Sequence, residues 1–318
     1  MSKHLFGIVV TPHGIAANNR GETEGNITTL QKILWRNEVY TTVSAEAIRF
    51  AIRWNWQLKK GEENINRRWV DNESHHIWAN SDFKKWDKFI DDDVLGFMNA
   101  KAGKEEGNDA ENKDEDEEEN KGAKSKKVRG TCDKRRARLE VTRAISLTPF
   151  AGDITFNAAS VGATPSASST GGKDPVPYGT EIHATRYQYG FALTPEELAD
   201  KKRVIDVIDA ITTLSRVAGN QARFLFDFSP ESIIFRWTND FAPRILYGFN
   251  LKDNNLVITD VIKKVISGDV DAKELIVGGN IADTEEGKQI KNMGANVFSG
   301  IKEAANETIK LIKKDLNL

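Results

Sequence analysis

The sequence contains a single cysteine, Cys132, among 318 residues. One thiol cannot form an intramolecular disulfide, and it cannot supply a multi-cysteine zinc site. The sequence also has no apolar stretch of about 18 residues, and its N-terminus lacks a basic segment followed by an apolar one. These absences predict a globular cytoplasmic protein with no signal peptide, no membrane span and no membrane partner.

Sequence motifs of common enzyme classes are missing as well. Neither G-x-x-x-x-G-K-[ST] nor G-x-G-x-x-G occurs, and no Ser/His/Asp set is evident. His75 and His76 are adjacent, so they cannot both face one metal from a helix, and no H-x-x-x-H partner accompanies them. We therefore expect a protein without cofactor or metal that is not an enzyme.

Charge is distributed very unevenly along the chain. Residues 104–120 hold ten acidic residues against two lysines, a net −8, so the remainder carries +6 within a formal total of −2. Residues 121–143 then carry ten Lys or Arg against two acids. This basic run is typical of nucleic-acid binding, or it is a counterpart for the acidic block. Residues 100–127 lack apolar anchors and are expected to be a disordered or mobile loop.

The stretch from Gly14 to Thr28 follows an apolar run, Leu5 to Val10, which predicts a strand. After the stretch, the i, i+3, i+4 spacing of three apolar residues predicts a helix; they are Leu30, Ile33 and Leu34. The stretch is therefore expected to be a loop between a strand and a helix.

This first loop has the side chains of an anion-binding segment. Its glycines allow close backbone approach, and Asn18, Asn19 and Arg20 offer donors to phosphate or hydroxyl oxygens. The alternative is a long surface loop whose Asn and Gly residues serve only turn chemistry.

A second helix is expected to start after Ser44, a favourable capping residue. Ile48, Ala51 and Ile52 would form its buried face. A neighbouring face would carry two cations and one aromatic residue, namely Arg49, Arg53 and Trp56. Such a face suits phosphate tracking with a stacking residue, although a solvated arginine face explains the same spacing.

The middle of the chain is predicted to contain a compact aromatic segment and then a projecting arm. Residues 55–95 hold Trp56, Trp69, Trp78 and Trp86, which indicates a small helical subdomain packed by aromatic rings. After a strand near residues 139–147, two strand-like arms at residues 152–157 and 178–193 flank small and polar residues. This pattern predicts a long hairpin that projects from the body.

The last third of the sequence mixes helices and strands without a regular βαβ repeat. Helices are expected after Pro195, at residues 257–266 and at 298–318, and strands at 222–226, 233–237, 245–249 and 275–280. We therefore expect an α+β sandwich with helices on one sheet face.

These residues resemble a known family, the backbone subunit of CRISPR Cascade of the Cas-seven type, within the DevR subgroup of type I-B systems. The resemblance is carried by segments spread over nearly the whole chain outside the acidic insert: residues 5–8 with 14–21, 44–49 with Arg53, 152–157, 222–227 and 278–280. The first of these is long and unusual, whereas Gly278-Gly279 alone would be weak.

The resemblance implies an RRM-like (ferredoxin-like) palm with a helical finger insertion and a β-hairpin thumb. Residues 1–58, 139–155 and 187–318 would form the palm, 59–138 the finger, with the acidic loop at 100–127, and 156–186 the thumb. Family members polymerise head to tail along a guide RNA (crRNA), together with other Cascade subunits. They hold its backbone, so that its bases can pair with target DNA.

Site residues follow from the same resemblance. It places Asn18, Asn19 and Arg20 on the guide backbone, and it places Ser44, Arg49 and Arg53 in the palm groove. Phe156 and Asn157 would lie at the thumb base near displaced bases, and Gly278, Gly279 and Asn280 would be further RNA contacts. An alternative comes from type III relatives, which cut target RNA with an acid of the first loop; Glu22 or Glu24 would be that acid here. The acidic block departs from the family pattern and is expected to project away from the groove.

Overall fold

The structure is a computed structural model, and it describes residues 2–18, 22–73, 75–101, 131–163 and 176–318. Both the acidic stretch and the tip of the expected hairpin lie outside the described residues. Within the described ranges the helices are α1 (Ala45–Lys60), α2 (Ile90–Leu95), α3 (Arg203–Thr212), α4 (Thr259–Ile266), α5 (Glu285–Asn292) and α6 (Ile301–Leu316). No helix there is long and apolar enough to cross a membrane.

The strands are, in chain order, β1 (His4–Val10), β2 (Gly14–Ala16), β3 (Thr23–Glu24), β4 (Ile27–Thr28), β5 (Lys32–Trp35), β6 (Glu38–Val43), β7 (Arg67–Val70), β8 (His75–Trp78), β9 (Phe97–Lys101), β10 (Thr131–Arg135), β11 (Glu140–Val141), β12 (Ala144–Ser146), β13 (Ile154–Ala159), β14 (Val176–Glu181), β15 (His183–Thr185), β16 (Tyr187–Leu193), β17 (Ser232–Thr238), β18 (Asn250–Lys252), β19 (Asn255–Val257), β20 (Leu275–Gly279) and β21 (Asn296–Phe298).

One nine-stranded sheet organises the molecule. Its order is β21-β20-β17-β1-β16-β12-β6-β5, and β11 also pairs with β16. The central strand β1 is antiparallel to both neighbours, with Ile8 opposite Gly190 on one side and Ile234 on the other. All seven residues of β1 are buried because both faces of the sheet are covered.

Each face of the sheet carries its own apolar core. Leu5 and Val9 of β1 belong to the core of the first face, which includes buried residues of α1, α3 and α6. Phe6, Ile8 and Val10 belong to the core of the second face, which α4 and α5 cover. The α+β class is confirmed, but the expectation of helices on one face is wrong. The near-continuous apolar run of β1 is typical of a strand buried on both sides.

The helix expected after the first loop is absent. Its place is taken by the antiparallel hairpin β5–β6, whose turn residues Arg36 and Asn37 have φ of 51° and 66°. Two successive residues in the left-handed region suit the tight turn of a twisted hairpin. Leu34 is 74% exposed, so the apolar spacing that predicted a helix face does not correspond to one buried surface. A short apolar run does not distinguish helix from strand.

Two further expected strands are irregular segments. Residues 222–226 and 245–249 have no strand pairing, although Phe226, Ile245 and Phe249 are buried. Tyr247 adopts a φ of 55°, which a regular strand cannot contain. These segments place single apolar side chains in the core without entering the sheet.

Hairpins replace the expected helical packing around the tryptophans. The strands β7 and β8 form one hairpin, β9 pairs with β10, and α2 is the only α-helix that begins within the described part of residues 59–138. Aromatic rings do pack this region: Phe83 stacks on Phe97 with centroids 4.2 Å apart, and Trp69 meets Phe50 edge-on. The chain therefore uses the aromatic residues to pack short strands rather than helices.

Most other element predictions are confirmed. The structure has β1, α1 and β6, two short strands at 140–146, and the antiparallel pair β13–β14. It also has β17, α4, β20 and the terminal helix α6, and the helix after Pro195 begins later, at Arg203.

Candidate nucleic-acid interface

The first loop and the β13–β14 hairpin form one structural unit at one edge of the sheet. Gly179 of β14 pairs with Ile27 of β4, and His183 of β15 pairs with Ala16 of β2. Both segments emerge where β1 ends and β16 begins, because Thr11 N donates to the Tyr187 carbonyl at 2.9 Å. Chain segments that are distant in the sequence are thus joined by backbone pairing.

An ion pair and a buried polar network hold this unit to the sheet. Glu181 accepts from Lys32 Nζ at 2.6 Å and from the backbone N of Leu30 at 2.7 Å. Thr41 Oγ1 lies 2.7 Å from His183 Nδ1 and 2.8 Å from the Tyr187 hydroxyl. Burial lowers the pKa of His183, so its ring is neutral near neutral pH. The root of the hairpin is therefore rigidly connected to β6 and β16.

A groove follows the outer face of α1 and reaches the first loop. Two adjoining cavities of about 490 and 400 Å³ share Glu46, Arg53 and Arg67. We call them together the α1 groove. Near the first loop its wall contains Asn18, Gln31, Ser44 and Phe50, and at the far end Arg49, Trp78, Phe97, Met98 and Arg135.

The structure thus brings together four of the residues expected to bind RNA, and they differ in the contacts that they make within the protein. They are Asn18, Ser44, Arg49 and Arg53. Ser44 caps α1, since its Oγ accepts from the backbone N of Ala47 at 3.2 Å. Arg49 donates to the carbonyls of Leu139, at 3.2 Å, and Leu95. Burial is the largest cause of the lowered pKa of Arg49, yet arginine stays charged near neutral pH. Arg49 therefore acts first as a bridge between α1 and its neighbours.

Arg53 and Trp56 are also committed to the fold. Arg53 Nε donates to the buried Asp91 at 3.3 Å, and burial lowers the pKa of its guanidinium. Trp56 is 1% exposed, and its indole N–H donates to the Asp206 carbonyl at 3.1 Å. The expectation that Trp56 stacks on a ligand is wrong because this ring packs between α1 and α3.

Arg67 and Trp78 are groove residues that the sequence interpretation missed. The Arg67 guanidinium lies 5.5 Å from the centre of the Trp78 ring, and its Nε has no hydrogen-bond partner within the described residues. Trp78 is 44% exposed. An arginine stacked on an exposed aromatic ring is suited to a phosphate beside a base. In the sequence, these residues stand out only as an arginine and a tryptophan in two short segments eleven positions apart. The pairing of β7 with β8 places Arg67 directly opposite Trp78.

Carboxylates of α2 lie beneath the groove and fix its arginines. Asp93 is fully buried and accepts from Arg203 Nη1 at 2.6 Å and from Arg135. Arg135 also packs over the Trp86 ring at 3.9 Å. Burial, and next the adjacent Asp91 carboxylate, raises the pKa of Asp92 to about 7. Two of the four groove arginines, Arg53 and Arg135, are thus paired with carboxylates, so Arg49 and Arg67 supply the groove's uncompensated positive charge, against Glu46 and a partly ionised Asp92.

Asn18 lies at the entrance to the groove. It is 4% exposed, and its side-chain Nδ2 has no hydrogen-bond partner within the described residues. Such a donor is available to a neighbouring acceptor. The other two members of the expected trio, Asn19 and Arg20, lie outside the described residues.

Phe156 and Asn157 lie on β13, the outer strand of the hairpin. Phe156 is 79% exposed and pairs across the strand with Gly179. Asn157 is half-buried, and its Nδ2 donates to Thr155 Oγ1 at 3.3 Å. An aromatic ring this exposed makes no contribution to a core, which is compatible with contact to a ligand or partner.

Gly278, Gly279 and Asn280 lie beside the same sheet edge but are explained by packing. A Cβ on Gly278 would lie 2.5 Å from the Ala304 Cβ of α6, and Gly279 has a φ of 92°. The Asn280 side chain donates to Glu231 Oε1 at 3.1 Å, and Glu231 in turn pairs with Arg186 at 2.6 Å. These glycines allow α6 to approach β20, so the geometry gives no support to a direct RNA role.

Glu22 and Glu24, the alternative cleavage residues, are exposed in the first loop. Within the described ranges, no group of three or more His, Cys, Asp or Glu side chains could hold a metal ion. Cleavage by Glu22 or Glu24 remains a prediction of the resemblance alone.

Comparison with known proteins identifies the family of this chain. A family model described as the CRISPR-associated negative auto-regulator DevR/Csa2 matches residues 13–204. A protein of Myxococcus xanthus strain DK1622, described as CRISPR-associated protein Cas7/Cst2/DevR, is 47% identical over 324 residues; the match covers 98% of this chain and 99% of that protein. The chain belongs to the Cas7/DevR family of CRISPR-associated proteins.

Solved structures show the same fold at low sequence identity. A chain of a CRISPR RNA-guided surveillance complex in a pre-nicking state has a TM-score of 0.56 and 11% identity, over 98% of this chain and 100% of that chain. A chain of another CRISPR RNA-guided surveillance complex has a TM-score of 0.52 and 13% identity, over 98% and 99%. The residues that match the Cas7/DevR family model include the first loop, α1, the described part of the insertion and the hairpin, whereas Gly278 to Asn280 lie beyond them.

Proposed function

We propose that this Cas7/DevR family member is a guide-RNA-binding backbone subunit of a type I-B CRISPR surveillance complex. Copies polymerise head to tail along the crRNA in the cytoplasm and associate with other Cascade subunits. Each copy holds the RNA backbone, and the bases remain free to pair with target DNA. The subunit itself carries out no cleavage, and it uses no cofactor.

The α1 groove is the observation that carries this proposal. It is lined by arginines and an exposed tryptophan, and it runs from the insertion to the first loop beside the hairpin. Cationic side chains with an aromatic platform bind single-stranded nucleic acid without reading its sequence. The palm would be the nine-stranded sheet with its helices, the finger the described hairpins of residues 59–138, and the thumb the β13–β14 hairpin.

The proposed contacts follow from what each residue is free to do. Asn18 and Arg67 have unsatisfied donors in the groove and would contact phosphate or 2′-hydroxyl oxygens directly. Arg49 and Arg53 would contribute positive potential while they remain bonded to the protein. Phe156 would meet displaced bases at the thumb base, and Asn19 and Arg20 stay proposed contacts from the first loop.

A first experiment asks whether the purified protein carries RNA. Its absorbance ratio at 260 and 280 nm, followed by nuclease treatment and gel analysis, would detect a bound guide. A protein that elutes free of nucleic acid and fails to bind added crRNA would overturn the proposal.

A second experiment tests the groove itself. Replacing Arg67 by Glu should weaken RNA binding for all sequences alike and lower the slope of log affinity against log salt by about one, because one phosphate contact is lost. Filter binding across a salt titration measures both quantities. The matched control is Lys291→Glu, an exposed cation on α5, which covers the opposite face of the sheet. Equal slopes for the two variants would remove Arg67 from the RNA path.

A further inference from the structure

A second cleft lies on the other face of the sheet, away from the α1 groove. It consists of two adjoining cavities of about 530 and 170 Å³ that share Trp35, Arg36 and Tyr247. We call them together the Trp35 cleft. The walls come from the β5–β6 hairpin, the irregular segment before β18, and α4, while β12 and β16 form the floor.

Aromatic rings form the wall that the two cavities share. The Trp35 and Tyr247 rings are 5.5 Å apart at an angle of 52°. Tyr247 is held in place because its hydroxyl donates to the Arg143 carbonyl at 3.2 Å, and its backbone has a φ of 55°. Gly190 of β16 allows this segment to come close, since a side chain there would collide with Leu246. The wall is thus a fixed platform suited to a planar ring.

The smaller cavity is lined largely by polar groups, and one of them, in the floor, is a buried amide. Gln188 is 8% exposed and lines this cavity, and its Oε1 has no hydrogen-bond partner within the described residues. Its neighbours in β16, Tyr187 and Tyr189, face the first core instead. A buried acceptor without a partner is unfavourable, so a ligand that donates a hydrogen bond to Gln188 Oε1 binds more tightly for it. An amide presents both a donor and an acceptor, which matches the edge of a nucleobase.

The rim of the larger cavity is cationic. It carries Arg36, Lys263 and Lys264 against one acid, Asp260, which lies 3.4 Å from Lys263. Arg36 donates to Asn250 Oδ1 at 3.3 Å and keeps other donors free. A ligand for this cleft must therefore combine a planar polar ring with negative charge.

We propose that the Trp35 cleft binds a nucleotide, with the base against Trp35 and Tyr247, its edge on the Gln188 amide, and the phosphate at Arg36, Lys263 and Lys264. The nucleotide is either free in solution or part of a nucleic-acid strand that passes over this face. This site is separate from the α1 groove, and its existence does not depend on the proposed guide-binding role.

The test measures binding of the four nucleoside monophosphates and of a short single-stranded oligonucleotide to the full-length protein freed of RNA. Isothermal titration supplies the affinities. Gln188→Leu and Trp35→Ala should each weaken mononucleotide binding about tenfold. The first variant loses the hydrogen bond between the side chain and the base edge, and the second loses one stacked ring. Arg36→Asn should weaken nucleotides but not nucleosides, and Asn tolerates the left-handed backbone at this position.

Two controls assign the binding to this cleft. Lys302→Glu alters an exposed cation on α6, on the opposite face, and should leave affinity unchanged. Arg67→Glu in the α1 groove is the comparison: mononucleotide binding that is lost in this variant but retained in Gln188→Leu and Trp35→Ala would place the nucleotide in the groove and overturn the proposal.

Two further results would overturn it. One is the absence of mononucleotide and oligonucleotide binding at millimolar concentration. The other is inorganic phosphate binding as tightly as nucleotides, because the base would then contribute nothing. Oligonucleotides that bind far more tightly than monophosphates, with the same sensitivity to Gln188→Leu, would identify a strand as the source of the nucleotide. Equal affinities would identify the free nucleotide.

Discussion

At the scale of single residues, the arginines of the groove differ in whether their donors are already hydrogen-bonded to the protein. Arg49 and Arg53 donate to buried backbone carbonyls and a buried carboxylate, whereas Arg67 stacks on Trp78 with an unsatisfied Nε. Removing either of the first two leaves buried acceptors unpaired, which costs stability before it affects a ligand. Charge reversal at Arg49 and Arg53 therefore reports on folding, and Arg67 is the residue whose substitution reports on binding.

Gly278 provides a test of packing against binding. Gly278→Ala should lower the free energy of unfolding by about 1–3 kcal/mol, because the new methyl group would meet the Ala304 Cβ and neither backbone can easily move. RNA affinity of the folded protein should stay the same. Denaturant unfolding and filter binding measure the two effects.

The control for this substitution is the double variant Gly278→Ala with Ala304→Gly. It restores the space and should recover part of the lost stability, less about 1 kcal/mol for a glycine within a helix. A Gly278→Ala protein that is fully stable but binds RNA weakly would show that the glycine contacts the RNA.

Asp92 makes stability depend on pH. Burial raises its pKa from 3.8 to about 7, so between these values the folded chain holds a proton that the unfolded chain releases. The free energy of unfolding contributed by this group is therefore highest in acid, and it falls as pH rises toward and through about 7. Asp92→Asn removes this dependence, since a neutral amide keeps a carbonyl for the Asn66 side chain.

We expect the stability of Asp92→Asn, relative to the natural chain, to improve between about pH 5 and pH 8. The size is limited to a few kcal/mol, as each unit of pKa shift corresponds to about 1.4 kcal/mol. Chemical denaturation at several pH values is the measurement. Asp253→Asn, at an exposed turn, is the control, and a stability difference that stays constant with pH would contradict the prediction.

At the scale of elements, the β13–β14 hairpin has a fixed root and an exposed outer strand. Replacing residues 161–177 by a short Gly-Ser linker should leave a stable monomer, because the Lys32–Glu181 pair and the Thr41–His183 network lie at the root. The shortened protein should retain residual RNA affinity through the groove but should no longer form regular assemblies on crRNA. Sedimentation or particle images would show this.

A single substitution refines the same prediction. Phe156→Ala should change stability by less than about 0.5 kcal/mol, as its ring is exposed, yet it should weaken assembly. Phe241→Ala is the matched control, because Phe241 is 82% exposed and packs near His4 at the opposite end of β1. Full-length assemblies from the shortened hairpin would refute the idea that this arm sets the spacing between copies.

At the scale of the whole molecule, the acidic segment of residues 105–120 is the part of the chain to which the proposed function gives no role. Apart from Ala110, residues 105–120 contain no apolar side chain, so they offer almost no area to a core. Deleting them should leave the thermal midpoint unchanged within error and should not weaken RNA binding. Calorimetry and filter binding of the deletion variant provide the measurement, and a much lower midpoint would show that the segment is part of the folded structure.

The sequence alone predicted the elements whose apolar pattern is long enough to fit only one type of secondary structure. The buried run of β1, the cap and apolar face of α1, and the terminal helix α6 were all evident from local spacing. Short apolar runs were not decisive. Leu30, Ile33 and Leu34 have helical spacing, yet residues 32–35 form a strand, since the left-handed turn after them and pairing with β6 outweigh local propensity.

The sequence by itself determined the family, the α+β class and the presence of Asn18, Ser44, Arg49 and Arg53 near one site. Only the tertiary structure decided which of these are free to bind. Whether an arginine is bonded to a buried carboxylate, as Arg53 is to Asp91, or stacked on an exposed ring, as Arg67 is on Trp78, depends on partners that are distant in the sequence. It also assigned Gly278 and Gly279 to packing, because the approach of α6 to β20 is a property of the assembled core and not of any local pattern.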